Sequence, residues 1–453
     1  MGTTEKIARF IAEFQFDKIP PRGIEQSKMS MLDTIGTALL GSKGEAGGIV
    51  TRFVKQMGGN PQARLIGNGL KTSVGNAALA NGTFAHADDF DDTGPFGHPG
   101  AFLTASLLTL GEWLKAPGKS ILEGYAVGFE IGSRLAKSLG DIVHAGYHRS
   151  CLLGTMAAAA ESAKLLGLDV DKTRAALGIA ASLASGVMEN FGSYTKPLHA
   201  GHTARNGITA GLLAREGLTA NLDILEGARG FFYVYGQEQA SIARMTEHLG
   251  KILAIAEESI RIKPWPCCAG NHEALTAMLR IMEKHPLQPD EVDSIEVATS
   301  WKPPGPCVRT DMRRAFEGKF NIPYNLASIL VDRKIDLGTY REENFQRPEV
   351  QSLMSRVHYV QHPDCRDKPE SLQSESRFAA LTLKLKNGQV LSEYQGAEGR
   401  KVLLGEEVLA KYRMNAERGG LSANQIDRSV ELMDKLETLS DMTLLMDAVV
   451  ASK

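Results

Sequence analysis

The sequence predicts a mainly α-helical protein, with a large all-α domain made from both chain ends and a smaller α+β domain inserted between them. Three observations carry this prediction. Apolar residues recur at helical spacing from the N-terminus to about Arg261. Lys263-Pro264-Trp265-Pro266 then breaks the pattern, because two prolines so close together disfavour a continuing helix. Period-two alternation with a hairpin signal follows, and helical spacing resumes after about Arg400. The expected boundaries are residues 1–262 with 400–453 for the helical domain and 263–399 for the α+β domain.

The elements follow in order. Ile7, Phe10, Ile11 and Phe14 sit at i, i+3, i+4 and i+7, one face of a first helix. Small residues are dense in Val74 to Ala85, Gly154 to Ala163 and Ala175 to Gly186, which suits buried helices in close contact. Ser120 and Glu123 have the spacing of a capping box and predict a helix start there. Gly124, Gly128 and Gly132 then line one face of that helix, so a neighbour can approach closely. In the inserted region, Asn271 to Lys284 reads as a helix stopped by His285-Pro286. Ile295, Val297 and Thr299 alternate, as do Leu381, Leu383 and Leu385 up to Asn387-Gly388, a two-residue hairpin signal with Val390 to Tyr394 as the return strand. Ser422 and Gln425 form another capping box before Ile426, Val430 and Met433.

The totals exclude several classes. With 43% hydrophobic and 23% charged residues, the 453-residue chain can bury a sizeable core and is not a disordered protein. A balance of 51 Lys+Arg against 53 Asp+Glu offers no broad cationic surface, so neither nucleic acid nor an anionic membrane is an expected partner. The five cysteines Cys151, Cys267, Cys268, Cys307 and Cys365 form no CxxC pair, which argues against a disulfide framework or a thiolate zinc site and for a reducing cytoplasm. Neither a secretory leader nor a membrane span is expected.

Two familiar signals carry no chemistry. Gly67 to Ser73 superficially resembles a phosphate loop, but it lacks the four-residue gap and the preceding strand, and reads as a turn before a helix. Asn81-Gly82-Thr83 matches a glycosylation sequon without a secretory context.

The densest polar cluster is His86-Ala87-Asp88-Asp89-Phe90-Asp91-Asp92-Thr93, with His98-Pro99 close behind. Four crowded carboxylates repel one another and raise some pKa values unless cations or hydrogen bonds compensate, which suits acid/base work or metal binding. The same aspartates match the pattern with which α-helical isoprenoid synthases hold magnesium and a diphosphate, but no second metal-binding element appears later in the chain. His148 and Arg149 stand at a loop-to-helix junction, where anions are readily bound. Lys196, His199 and His202 lie beside helix-breaking residues, and Lys263 and His272 flank the predicted boundary, where ligand clefts often form. Together these groups suit an anionic substrate handled by proton transfer.

Four of these blocks, in this order, resemble the MmgE/PrpD family, which includes 2-methylcitrate dehydratase, cis-aconitate decarboxylase and iminodisuccinate epimerase. They are His86 to Thr93, Gly146-Tyr147-His148, Asn190-Phe191-Gly192 with Thr195 to Gly201, and Lys263 to Cys268. The resemblance covers nearly the whole chain. It implies a homodimer with a site between the domains that needs neither metal nor cofactor and acts on a small carboxylate. It places the family's polar site positions at Asp89, Thr93, His98, His148, Lys196, Lys263 and Tyr324. In these roles the lysines neutralise substrate carboxylates, His98 and His148 serve as base and acid, Asp89 orients a histidine or acts as base, and Thr93 and Tyr324 give hydrogen bonds. Arg149, His199, His202 and His272 are further substrate-binding candidates. Cys268 stands where cis-aconitate decarboxylases carry a histidine, and Thr93 and His98 are one residue closer than in those enzymes. Both departures point away from decarboxylation, so dehydration is expected first, epimerisation, which needs almost the same parts, second and decarboxylation third. His202 stands where many relatives have arginine, which implies a weaker or pH-dependent carboxylate clamp.

Overall fold

The computed structural model describes residues 1–142, 145–258, 260–302, 307, 312–365 and 378–451. It is 59% helical with about 10% in strands, a mainly α protein. The chain divides into two compact units, one of Met1–Val187, Pro197–Ile262 and Leu403–Lys453, the other of Met188–Lys196 and Lys263–Val402.

The first unit contains α1 (Thr3–Glu13), α2 (Pro21–Gly41), α3 (Glu45–Met57), β1 (Ala63–Arg64), β2 (Lys71–Thr72), α4 (Val74–His86), α5 (Pro99–Leu114), α6 (Gly118–Ser138), α7 (Arg149–Leu165), α8 (Val170–Leu183) and most of α9 (Thr195–Arg215). Short helices α10 (Phe231–Tyr235) and α11 (Ala254–Glu257) follow. One apolar core runs through this unit from Ile7 to Val449, so both chain ends fold into it.

Side chains that are missing let the helices meet. A Cβ at Gly124 would lie 2.5 Å from Leu107 of α5, and one at Gly132 would lie 2.4 Å from Phe96. The glycine face of α6 is therefore buried against its neighbours, as the four-residue spacing predicts. At the crossing of α4 and α9, a Cβ on Gly82 would approach Gly201 to 2.8 Å and one on Gly201 would lie 2.0 Å from the carbonyl of Leu79. Backbone-to-backbone contact of this kind leaves no room for any other residue.

Two local expectations differ. Helix α6 starts at Gly118, with Ser120 already inside it, and Glu123 accepts the Phe16 amide at 2.8 Å instead of closing a capping box. A tertiary donor has replaced the local one. The helical unit also includes the small ladder of β1 and β2, whose Gly67–Leu70 turn contains two positive-φ glycines and is held by the Val449 carbonyl at 2.9 Å from the Gly67 amide.

The second unit contains α12 (His272–Lys284), β3 (Val292–Thr299), α13 (Ile322–Asp332), α14 (Glu342–Phe345), α15 (Pro348–Met354), β4 (Val357–Gln361), β5 (Phe378–Leu385) and β6 (Val390–Gly396). The strands form one mixed sheet in the order β4-β3-β5-β6, parallel between β3 and β4 and antiparallel elsewhere. Leu381, Leu383 and Leu385 of β5 are buried and alternate with exposed Thr382 and Lys384. The β5–β6 connection is a three-residue loop, Lys386 to Gly388, closed by the Leu385 amide on the Gln389 carbonyl at 2.9 Å. Only Gly388 has positive φ there, at 90°, so the two-residue turn expected from Asn387-Gly388 gives way to a loop ending in a left-handed glycine.

Met188–Lys196, read from sequence as part of the helical domain, groups with the second unit. The reason is aromatic packing: Phe191 meets Phe320 at 5.9 Å and Tyr194 meets Phe316 at 4.8 Å between ring centroids. After Val402 the chain completes the first unit with α16 (Glu406–Arg418), α17 (Ala423–Asp434) and α18 (Thr443–Ala448). The Ser422 capping box before α17 is formed as predicted.

Candidate functional site

In the first unit, the polar cluster occupies the connection between α4, which ends at His86, and α5, which starts at Pro99. Asp89 adopts φ 50°, a left-handed conformation that aspartate tolerates better than most residues, and its amide bonds back to the His86 carbonyl at 3.1 Å. At Gly97, φ is 106° and a Cβ would lie 2.1 Å from Ser150 Oγ, so only glycine fits beside the N-terminal turn of α7. Ser150 Oγ accepts the His98 amide at 3.0 Å, and Arg149 donates to the Pro95 carbonyl at 3.2 Å. Arg149 thus braces the loop that presents His98.

The four aspartates take different places. Asp91 lies between two imidazoles, with Oδ1 2.7 Å from His86 Nδ1 and Oδ2 3.1 Å from His98 Nδ1. The His98 Nδ1 is also 2.9 Å from the Asp92 carbonyl, which can only accept, so this nitrogen carries the proton and Nε2 is the basic atom. Asp89 Oδ1 lies 3.9 Å from that Nε2. The Asp92 side chain serves another network: it accepts from Ser30 Oγ at 2.5 Å and from the Gly100 amide at 3.0 Å, while Tyr125 donates to Ser30 at 2.6 Å. Asp88 is only half-buried.

These environments separate the acidities. Burial opposes the charge on Asp91, but His86 and His98 outweigh it and hold its carboxyl well below the usual carboxylate range. Burial, and then the neighbouring charges of Asp91 and Asp33, push Asp92 up to about 7. The repulsion expected from the sequence is thus concentrated on one member.

A second imidazole pair stands nearby. His148, the N-cap of α7, and His199, in the first turns of α9, approach Nδ1 to Nδ1 at 2.9 Å, so one ring donates and the other accepts. The His86 ring stacks on that of His148 with centroids 6.4 Å apart and lies 4.3 Å from that of His98. His199, read as a substrate ligand, therefore orients His148. Thr93 pairs with Arg261 through two 2.9 Å backbone hydrogen bonds that fasten the end of the cluster.

His86, Asp89, Asp91 and His98 each bring a ligand-type atom within 4.8 Å of the others, the kind of set that can hold a divalent cation. The Nδ1 atoms that face Asp91 donate through N–H, so a metal would have to take the Nε2 atoms instead. We read the set as an acid–base cluster. Dialysis against EDTA is expected to leave turnover unchanged, with no gain on adding Mg²⁺ or Zn²⁺. A loss reversed by one metal would overturn that expectation.

The second unit holds buried lysines. Lys196 Nζ lies 5.1 Å from the Phe191 ring and 5.2 Å from the Phe320 ring, a cation between two aromatic faces. Lys263 is 2% exposed. Lys319, which sequence reading did not single out, donates to the Pro266 carbonyl at 3.0 Å and sits 4.6 Å from the Tyr340 ring, fixing the segment that follows Lys263.

Three of the expected site residues make internal contacts. Tyr324 is fully buried in the core of the second unit, its hydroxyl donating to the Thr339 carbonyl and its pKa pushed up to about 12 chiefly by burial. Its side chain thus packs in that core with its hydroxyl on a backbone carbonyl. His272 packs edge-on against Trp265 at 5.1 Å with Nε2 3.3 Å from the Cys267 carbonyl, another internal contact. His202 Nε2 accepts from Asn206 at 2.9 Å, and burial followed by Arg205 lowers its pKa, so the ring is neutral near pH 7 and supplies no charge to clamp a carboxylate.

The N-terminal domain of the MmgE/PrpD family matches residues 5–243, and the C-terminal domain of the same family matches residues 265–437. The chain belongs to the MmgE/PrpD family. It is an enzyme, and the family and its relatives support the lyase or dehydratase type. Similar proteins include cis-aconitate decarboxylase of Mus musculus, 28% identical over 462 residues that cover 98% of this chain and 92% of the relative. The Homo sapiens cis-aconitate decarboxylase is 28% identical, covering 98% and 93%, and that of Aspergillus terreus is 27% identical, covering 98% and 95%. Asp91 and His86 are the MmgE/PrpD residues that motif reading left without a role. Both stood in the quoted cluster, but a five-residue separation does not reveal that they pair.

Proposed function

We propose that the chain is a cofactor-independent lyase that removes water from a small di- or tricarboxylate by taking a proton next to a carboxylate. The observation that supports this most is the His98 ring, protonated at Nδ1 between Asp91 and the Asp92 carbonyl, with basic Nε2 beside Asp89. Nε2 takes the Cα proton, the C–H electron pair forms the new double bond, and the C–O bond breaks. His148, held by His199, protonates the departing hydroxide to water. Lys196 and Lys263 are the cations assigned to the substrate carboxylates and to the enolate-like charge, the kind of term that is often largest. The same reading includes a homodimer, taken from the family resemblance, and a cytoplasmic location, taken from the cysteine pattern.

Decarboxylation of cis-aconitate is the second reading, favoured by the curated relatives. It needs only one protonation after CO₂ leaves. Two separately held imidazole systems suit a reaction that needs both a base and an acid, which is why dehydration stands first. Epimerisation, as in iminodisuccinate epimerase, uses the same parts with the proton returned to the other face.

Proton NMR in D₂O with 2-methylcitrate, citrate, cis-aconitate and iminodisuccinate separates these. A vinylic product supports dehydration, CO₂ loss with an itaconate signal supports decarboxylation, and deuterium incorporation without a new skeleton supports epimerisation. Silence across the set sinks the polycarboxylate reading. With the substrate that turns over, Lys196→Ala is expected to lower kcat by about 10²–10³-fold, and near-normal kcat would remove Lys196 from the site.

A further inference from the structure

Asp91 is the fully buried carboxylate of the cluster that touches two imidazoles at once. The other charged or titratable groups around His98 are distributed differently. Asp89 approaches Nε2, the opposite side of the ring. Asp92 offers His98 only its backbone carbonyl, because its side chain is held by Ser30 and Gly100. The His86 ring lies 4.3 Å from that of His98 and is itself tied to Asp91.

We infer that Asp91 is the positioning residue of the reaction: one buried carboxylate that accepts from His86 Nδ1, lies 3.1 Å from His98 Nδ1 and provides the negative charge against which His98 takes up a proton at Nε2. The inference rests on His98 being the base, and goes further by assigning the group that makes it basic. Asp91 need not touch the substrate. Without it, the Asp92 carbonyl still accepts from His98 Nδ1, so the tautomer survives, but the imidazolium formed in the reaction loses its counter-charge. His86 loses the acceptor at its Nδ1 as well, and with it the fixed ring that packs on both His98 and His148.

Asp91→Asn keeps the shape and removes the charge. The expected result is a fall in kcat of about 10²-fold with little change in KM. The acid limb of kcat/KM should move to lower pH by about 1–3 units, since loss of an adjacent negative charge makes the imidazole less basic. Asp91→Glu, which restores the charge, should bring the limb back toward that of the parent. A purely structural carboxylate would change stability without moving the limb, and an unmoved limb overturns the inference.

NMR titration of the histidine side chains in the resting protein, assigned with His98→Gln and His86→Gln, needs no substrate. The His98 pKa is expected to fall in Asp91→Asn, and equal values in parent and variant overturn the inference even if Asp91→Asn is inactive. The two readings fail separately: normal turnover in His98→Gln defeats the base assignment, whereas an inactive His98→Gln with a fully active Asp91→Asn defeats only the role of Asp91.

Discussion

Replacing His98 with glutamine is expected to lower kcat by about 10²–10⁴-fold while the protein stays folded, the range that a positioned general base contributes. The side chain is held from three directions. Its amide is fixed by Ser150, its Nδ1 by Asp91 and the Asp92 carbonyl, and its backbone by the following Pro99 at the first position of α5. Glutamine retains hydrogen-bonding capacity but cannot take up a proton at the Nε2 position. If binding is unaffected, KM stays near that of the parent and the loss lies in kcat, the signature of an interaction made only in the transition state. Steady-state kinetics with the substrate found by NMR decide it, and kcat near the parent value would move the base elsewhere, with Asp89 the first alternative at 3.9 Å.

Lys411→Met is expected to destabilise the first unit by about 3–5 kcal/mol. Lys411 comes from α16, near the C-terminus, and its Nζ lies 2.7 Å from Asp33 of α2 and 2.5 Å from the Phe90 carbonyl, over the Phe90 ring at 4.0 Å. Both charged side chains are nearly inaccessible, at 3% and 0%. Removing the lysine leaves an uncompensated charge on Asp33, which must then stay ionised in an apolar setting or take up a proton. The double replacement Asp33→Leu with Lys411→Met should recover most of the loss, because an apolar pair of similar volume avoids the desolvation cost altogether. Urea unfolding of parent, single and double variants reads this directly. A single variant as stable as the parent would show that the pair contributes nothing. Lys411 also anchors the carbonyl between Asp89 and Asp91, so the single variant is expected to lose activity before it unfolds.

The fold was largely legible because it rests on local rules. The helical spacing of Ile7 to Phe14, the capping box at Ser422 and the alternation of Leu381, Leu383 and Leu385 each depend on residues close in sequence. Local reading failed where a distant partner intervened. Glu123 bonds the Phe16 amide and so closes no cap, and Phe191 and Tyr194 pack on Phe320 and Phe316 and draw their segment into the second unit. The C-terminal Val449 carbonyl holds a turn near the start of the chain for the same reason.

The sequence by itself determined the mainly α class, the break at Lys263, the family blocks and the polar segment proposed as the site, because periodicity, proline and motif order are properties of neighbouring residues. Tertiary structure alone decided which member of that segment does what. Four aspartates that are chemically alike become a histidine clamp at Asp91, a carboxyl near neutrality at Asp92, a neighbour of the basic nitrogen at Asp89 and a peripheral group at Asp88. Likewise His199 became a support for His148, and Tyr324 a core residue. The physical reason is that burial, charge and hydrogen-bond direction depend on groups brought together from distant parts of the chain, and these set the acidity and tautomer on which proton transfer depends.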